Sequence, residues 1–304
     1  MGGKDRDGNE SHSEGVGGDF LEMPIDYIDE EEEGSTGMCF FKVRRKSRKQ
    51  VADYIVKQVK NYGSYEAKLW DCEDYAFLAA SEVRCTFLGQ PVAIALGKAR
   101  EGPGMDGQDH ALLVLWFGDQ VGGVRNCVPE YFDPTLGSFV NDFDTRILIP
   151  LPLSGLTEGN SDLPFNKKLP LLDEAAFALD GKDYQFGKIN EVMNTLRNGG
   201  ISRCPVLDRS PEDMALLKDP HHRYWSESDE NFWQFAHLRQ KHKGAPIGFA
   251  VGTATNAKSR KPFEQSAVVL WKQQDDFFYW DANTEKKLSD FKVKIEFKPR
   301  LVMV

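Results

Sequence analysis

Cys72, His110 and Asp133 are the residues of this chain whose types and settings suit covalent chemistry. A cysteine sulfur attacks a carbonyl carbon as the thiolate, an imidazole moves the proton, and a carboxylate fixes the imidazole's tautomer and steadies its charge. Cys72 opens a helical pattern, because Cys72, Ala76, Ala79, Val83 and Phe87 step by four, three, four and four along one face up to Gly89. At a helix start the unpaired amides and the macrodipole favour a thiolate. Glu73 and Asp74 suit the same dipole but repel a thiolate. A contact pair with protonated His110 is worth roughly 4 kcal/mol at surface-like dielectric, and exposed, salt-screened carboxylates farther away contribute far less. The thiolate is therefore expected to persist if the imidazole touches it. A backbone N–H at a helix start can meet a developing oxyanion, and the Trp70 indole is a side-chain N–H donor close before Cys72.

The remaining cysteines and histidines call for plainer readings. Cys39, Cys85, Cys127 and Cys204 are widely spaced, with no C-x-x-C pair, and read as reduced, buried thiols. His12, His221, His222, His237 and His242 show no pair at helical metal-site spacing and read as ordinary hydrogen-bonded side chains. No metal or cofactor is expected.

Several elements must position the three residues. Val51, Tyr54, Ile55, Val59 and Tyr62 recur at helical spacing and end at Gly63. After the Cys72 helix, Pro91 to Leu96 reads as a buried strand and Gly97 to Gly107 as a mobile loop. His110 opens a strand running from Ala111 to Phe117. Glu130 to Asp133 is a third extended piece, closed by a turn from Pro134 to Gly137. His110 at the start of one strand and Asp133 at the end of the next can be neighbours across a sheet.

Sliding the chain on itself by 155 residues aligns Trp70 with Trp225, Asp74 with Asp229, Phe77 with Phe232, Arg84 with Arg239, Gly89 with Gly244 and Pro91 with Pro246. The same offset carries Gly97 onto Gly252 and the run Val114, Leu115 and Trp116 onto Val269, Leu270 and Trp271. After a loop shorter by seven residues, Tyr131 and Asp133 meet Tyr279 and Asp281. A gapless register over a helix and two strands points to internal duplication. In the second copy Glu227 stands for Cys72 and Gln265 for His110, with only Asp281 kept. That copy lacks both nucleophile and base. The persistence of Trp225 there favours a packing role for Trp70.

With 304 residues, 40% apolar and 12% aromatic, the chain is long enough for two moderate cores. The organisation expected is an acidic disordered tail over residues 1–35, a first unit over 36–150, an irregular connector over 151–182 and a degenerate second unit over 183–304. A formal charge of −9 and a pI near 5.3 argue against nucleic acid as a partner. The basic stretch Lys42 to Lys49 reads as a solvated face or as a contact for the acidic tail. No apolar run is long enough to span a bilayer, and Arg6 stands where a myristoylation motif wants Ser or Thr after Gly2. A cytosolic location is the expectation.

The stretches WDCEDYAFLAASEVRCTFLGQPVAIALGKA, GQDHALLVLWF and EYFDPTLG resemble the transglutaminase-like, papain-like cysteine peptidase superfamily. That resemblance implies an α+β fold with a helix packed on an antiparallel sheet, Cys72 as nucleophile, His110 as base and Asp133 as orienting group. Members hydrolyse peptides, deamidate or cross-link glutamine, cleave amide-linked sugars, or are inactive. The cysteine pairs of the peptide N-glycanase branch are absent. The spacing is also similar to transglutaminase-like domains of centrosomal and ciliary scaffolds, which lack part of the triad that is complete here. Three expectations follow: a cysteine hydrolase of peptide or isopeptide-like amides, a non-catalytic scaffold binding a protein partner at a centrosome or cilium, or a glutamine acyl transferase.

Overall fold

Two five-stranded antiparallel sheets carry the same strand order around a shared pair of helices, an α+β arrangement. The computed structural model describes residues 47–87, 90, 92–99, 109–117, 128–151, 183–201, 204, 227–258, 260–291 and 294–304. All belong to one body, Cys39–Val304. The proposed acidic tail, the connector over 151–182 apart from Leu151, which ends a strand, most of the basic stretch, and Trp225, His12, His221, His222, Cys39 and Cys127 lie outside the described residues.

Helix α1 (Arg48–Val59) starts at Ser47, whose hydroxyl accepts the Gln50 N–H while the Gln50 side chain accepts the Ser47 N–H. This reciprocal pair satisfies two amides that the first turn leaves open. Val51 and Ile55 face inward. Helix α2 (Cys72–Thr86) begins the same way at Asp71, which accepts the Glu73 N–H at 3.3 Å while Asp74 accepts the Asp71 N–H at 3.1 Å. It is buried on almost every side, because α1, α4 (Glu227–Lys241) and strands β1 (Val92–Ala99) and β2 (Asp109–Phe117) all pack on it. Both faces of the central strands are covered too, so Val92 to Ala95 and Ala111 to Trp116 form continuous apolar runs without alternation.

The first sheet has the order β4-β3-β2-β1-β5, with β3 (Val128–Asp133), β4 (Ser138–Val140) and β5 (Phe143–Leu151). Strand β1 extends to Ala99, past the Gly97 at which the sequence suggested a loop, because β5 pairs with it across a bulge between Leu96 and Gly97. The second sheet, preceded by α3 (Ile189–Arg197), has the order β10-β6-β7-β8-β9. Its strands are β6 (Ile247–Asn256), β7 (Pro262–Gln273), β8 (Asp276–Asp281), β9 (Lys286–Lys287) and β10 (Ile295–Met303). Residue registers agree at the sequence offset: Val92 faces Leu115 as Ile247 faces Leu270, and Val114 faces Tyr131 as Val269 faces Tyr279.

Helices α2 and α4 meet in opposite directions through crossed ion pairs. The Arg84 fork donates to both Asp229 oxygens at 3.0 Å, and Arg239 Nε donates to Asp74. Asp74 corresponds to Asp229 and Arg84 to Arg239, so the repeat maps one ion pair onto the other, the pattern a two-fold axis generates. Residues nearer the helix centres meet their own counterparts: the Phe77 and Phe232 rings lie 6.3 Å apart, and His237 Nε2 lies 3.3 Å from Glu82 Oε1.

Cys85, in the last turn of α2, is joined to the buried Cys204 by a disulfide with the two Cα atoms 6.3 Å apart. This corrects the reading of both as reduced thiols. Their separation of 119 residues hides the pairing in the sequence. No helix among the described residues is long and apolar enough to cross a membrane.

Gly97 and Gly252 occupy the same bulge in the two sheets, where a Cβ would overlap the backbone carbonyl of Asp144 or Lys298. Gly97→Ala and Gly252→Ala should each lower the unfolding free energy by about 1–3 kcal/mol in urea titrations. Gly187→Ala, with nothing within 4 Å of the added methyl, should change it by less than about 0.5 kcal/mol.

Candidate active site

Cys72 is the first residue of α2, and its thiol is half-buried and free. His110 is the second residue of β2 and Asp133 the last of β3. The antiparallel register, Leu113 opposite Phe132, puts the start of β2 beside the end of β3. There His110 Nε2 lies 2.7 Å from Asp133 Oδ2, with both side chains buried. Cys72 lies close enough to the imidazole to raise its pKa together with Asp133. All three residues singled out from the sequence thus meet at one place.

Asp133 is held rigidly by its own turn. Its Oδ1 accepts the Thr135 N–H at 2.7 Å, the Thr135 hydroxyl at 2.6 Å and the Leu136 N–H at 3.2 Å, leaving Oδ2 for the imidazole. The turn that sequence chemistry assigned to Asp133 and the orienting role are therefore two uses of one carboxylate. Burial by itself would lower the His110 pKa. The bonds to Asp133 and Cys72 and their charges outweigh it, and the pKa rises from 6.5 to about 9. Burial would likewise raise the Asp133 pKa, but the bonds to His110 and Thr135 bring it below the ordinary carboxylate value. At neutral pH the pair is imidazolium and carboxylate, with Nε2–H donating.

Asp74 is not the exposed neighbour of Cys72 that the sequence suggested. It is 1% exposed and paired with Arg239. Its charge is compensated within the interface, so its share of the repulsion on a thiolate is reduced. Trp70 is fully buried in the main core, its ring 5.8 Å from that of Tyr75 and 5.7 Å below the Lys243 ammonium, and its indole N–H has no hydrogen-bond partner. Those surroundings are those of a packing residue.

The matching place in the second sheet is filled differently. Glu227 opens α4 as Cys72 opens α2. Gln265 Nε2 donates to the Ser266 carbonyl at 2.7 Å, and Asp281 is bound by Asn231 Nδ2 and Asn283 Nδ2 at 3.1 Å and by the Thr284 hydroxyl at 2.7 Å. Asn231 also reaches the Ser266 carbonyl and hydroxyl at 3.1 Å and accepts the Ala282 N–H at 2.7 Å. Asn231 is the counterpart of Ala76, so one helix residue satisfies the aspartate that histidine satisfies in the first sheet. Sequence reasoning passed over Asn231. The signal was a polar residue replacing alanine on the inward face of the repeated helix.

No family model, curated protein or solved structure matches the chain.

Because the folded His110 pKa lies above its unfolded value of 6.5, its contribution to stability is complete below pH 6.5 and is lost as pH rises through about 9. Asp133 acts in the opposite sense: its contribution holds above 3.8 and is lost as pH falls through its lowered value. Urea midpoints should therefore fall between pH 6.5 and 9 in the wild type and stay flatter over that window in His110→Gln. Parallel profiles for the two proteins would refute the assignment.

Proposed function

We propose that this chain is a thiol-dependent hydrolase of peptide or isopeptide-like amide bonds, built on a duplicated papain-like, transglutaminase-type core with one working copy. The observation that carries this reading is the bond between His110 and Asp133 at 2.7 Å, with a helix-opening cysteine near enough to the imidazole to raise its pKa. The matched strand orders and registers, the paired bulges and the crossed ion pairs support duplication.

Cys72, having passed its proton to His110, forms a bond from sulfur to the substrate carbonyl carbon. The oxyanion meets the Cys72 backbone N–H at the first position of α2, where no intrahelical acceptor is available. His110 gives its proton to the leaving nitrogen as the C–N bond breaks. In the second half His110 takes a proton from water, the hydroxide attacks the thioester, and carboxylic acid and Cys72 are released. Asp133 holds the imidazole in one orientation throughout and stays ionised. A primary amine in place of water gives acyl transfer. The protein or peptide substrate binds without a cofactor or metal in this scheme.

A specific observation also favours the scaffold reading. The second copy keeps the complete fold around Asp281 with neither nucleophile nor base, so this architecture persists in the same chain without chemistry. Under that reading Cys72→Ala retains every partner and cellular effect of the wild type.

Iodoacetamide at neutral pH should label Cys72 ahead of the chain's other cysteines, with His110→Ala abolishing the preference. Uniform labelling of the accessible cysteines would remove the catalytic reading. Turnover of an amide substrate should decline as pH rises through about 9, where His110 ceases to be a proton donor for the leaving group. Incorporation of a primary amine into a glutamine peptide would identify the transferase variant.

A further inference from the structure

We infer that Arg239, on the helix of the second copy, is a positioning residue for Cys72, so that the chemically silent copy is part of the working site. The inference rests on the reading of Cys72 as nucleophile. Arg239 Nε donates to Asp74 Oδ1, and Arg239 Nη1 donates to the Ile247 carbonyl at 2.8 Å, which ties the guanidinium to the first residue of β6. Asp74 Oδ2 accepts the Asp71 N–H at 3.1 Å, and Asp71 Oδ1 accepts the Glu73 N–H at 3.3 Å. Cys72 lies between these two amides. A continuous run of charge-assisted bonds therefore extends from the second sheet to the backbone on either side of the nucleophile.

Asp74 is 1% exposed and Arg239 4% exposed, so water does not substitute readily for either partner. Without the guanidinium, the buried carboxylate loses its counter-charge, and its remaining bonds must carry the charge or it takes a proton. Either change alters its hold on the Asp71 N–H and loosens the first helical turn. The Cys72 sulfur then samples a range of positions relative to the imidazole, where misplacement of about 1 Å is enough to slow reaction strongly.

The pseudo-symmetric counterpart supplies an internal control. Arg84 and Asp229 form an equally buried pair in the same interface, with both Asp229 oxygens engaged by the Arg84 fork. That pair sits at the C-terminal end of α2 and the start of α4, remote along α2 from Cys72. A residue that only stabilises the interface would behave as Arg84 does. A positioning residue would not.

The test is the rate of Cys72 alkylation by iodoacetamide in the full chain, followed by peptide mass spectrometry from pH 6 to pH 10. The variants are Arg239→Gln, Arg239→Lys, Arg84→Gln and Arg84→Lys, with folding checked by circular dichroism. Arg239→Gln should slow labelling by roughly ten- to a hundredfold and change the shape of the pH profile. Arg239→Lys should restore part of the rate, and both Arg84 variants should stay within about threefold of wild type. A wild-type rate and profile in Arg239→Gln overturns the inference, as does equal slowing by Arg84→Gln. Should either glutamine variant fail to fold, the lysine pair is compared by the same criterion, and equal rates in Arg239→Lys and Arg84→Lys overturn it. If wild-type Cys72 reacts no faster than free glutathione, the nucleophile reading fails and the inference falls with it. Fast wild-type labelling that Arg239→Gln leaves unaltered sinks the inference alone.

Discussion

The contact between α2 and α4 carries two buried, oppositely directed ion pairs, and the placement of both sheets follows from it. Buried pairs of this kind are weak sources of net stability, because desolvation consumes most of the Coulomb gain. They are effective at fixing register. A slip of α2 along α4 by one turn would break both pairs at once and strand four charges in the interior, at roughly 3–5 kcal/mol for each broken pair. The aromatic contacts between them, Phe77 with Phe232 and Phe235, add about 0.5–1.5 kcal/mol each but tolerate sliding more readily. Charge therefore sets where α2 sits, and apolar burial supplies most of the attraction.

The site depends on that register, because Cys72 belongs to the helix while His110 and Asp133 belong to the sheet. The sheet by itself brings the imidazole to the carboxylate, since antiparallel pairing of β2 with β3 fixes their separation. It cannot bring the thiol. The sulfur reaches the imidazole only where α2 begins, which the Asp71 cap determines, and at the height at which α2 lies on the sheet, which packing with α1 and α4 determines. Strand register and helix register are thus independent requirements, met by different parts of the chain.

Local patterns in the sequence were enough to place Cys72 at a helix start, His110 at a strand start and Asp133 before a turn, because each rests on contacts within a few residues. The repeat was readable for the same reason that it folds the same way twice. Its glycines mark one bulge geometry, and its Asp and Arg pairs mark one interface. What the alignment did not reveal was the partner of each charge. Asp74 and Arg84 lie ten positions apart on one helix, and nothing local says that each bonds to the other copy. The disulfide between Cys85 and Cys204 and strand β5 were hidden likewise, since both depend on pairings across long stretches of chain. Asn231 drew no attention in the sequence, because its burial depends on how the fold turns α4.

The two sheet-and-helix halves differ in a complementary way. Along the inward face of α2 stand Ala76, Ala79 and Ala80, all fully buried, while α4 has Asn231, Gln234 and Phe235 at those positions. Small residues on one helix leave room for larger ones on the other, a division that an exact two-fold interface cannot adopt, because each surface there must complement itself. The asymmetry has a chemical consequence. Asn231 meets the needs of Asp281 from within α4, and a histidine on the neighbouring strand is then unnecessary for folding. In the first sheet Ala76 offers no such group, so Asp133 Oδ2 is left to His110. A histidine beside the aspartate in one sheet and none in the other are therefore linked to the same helix position, with alanine at 76 and asparagine at 231.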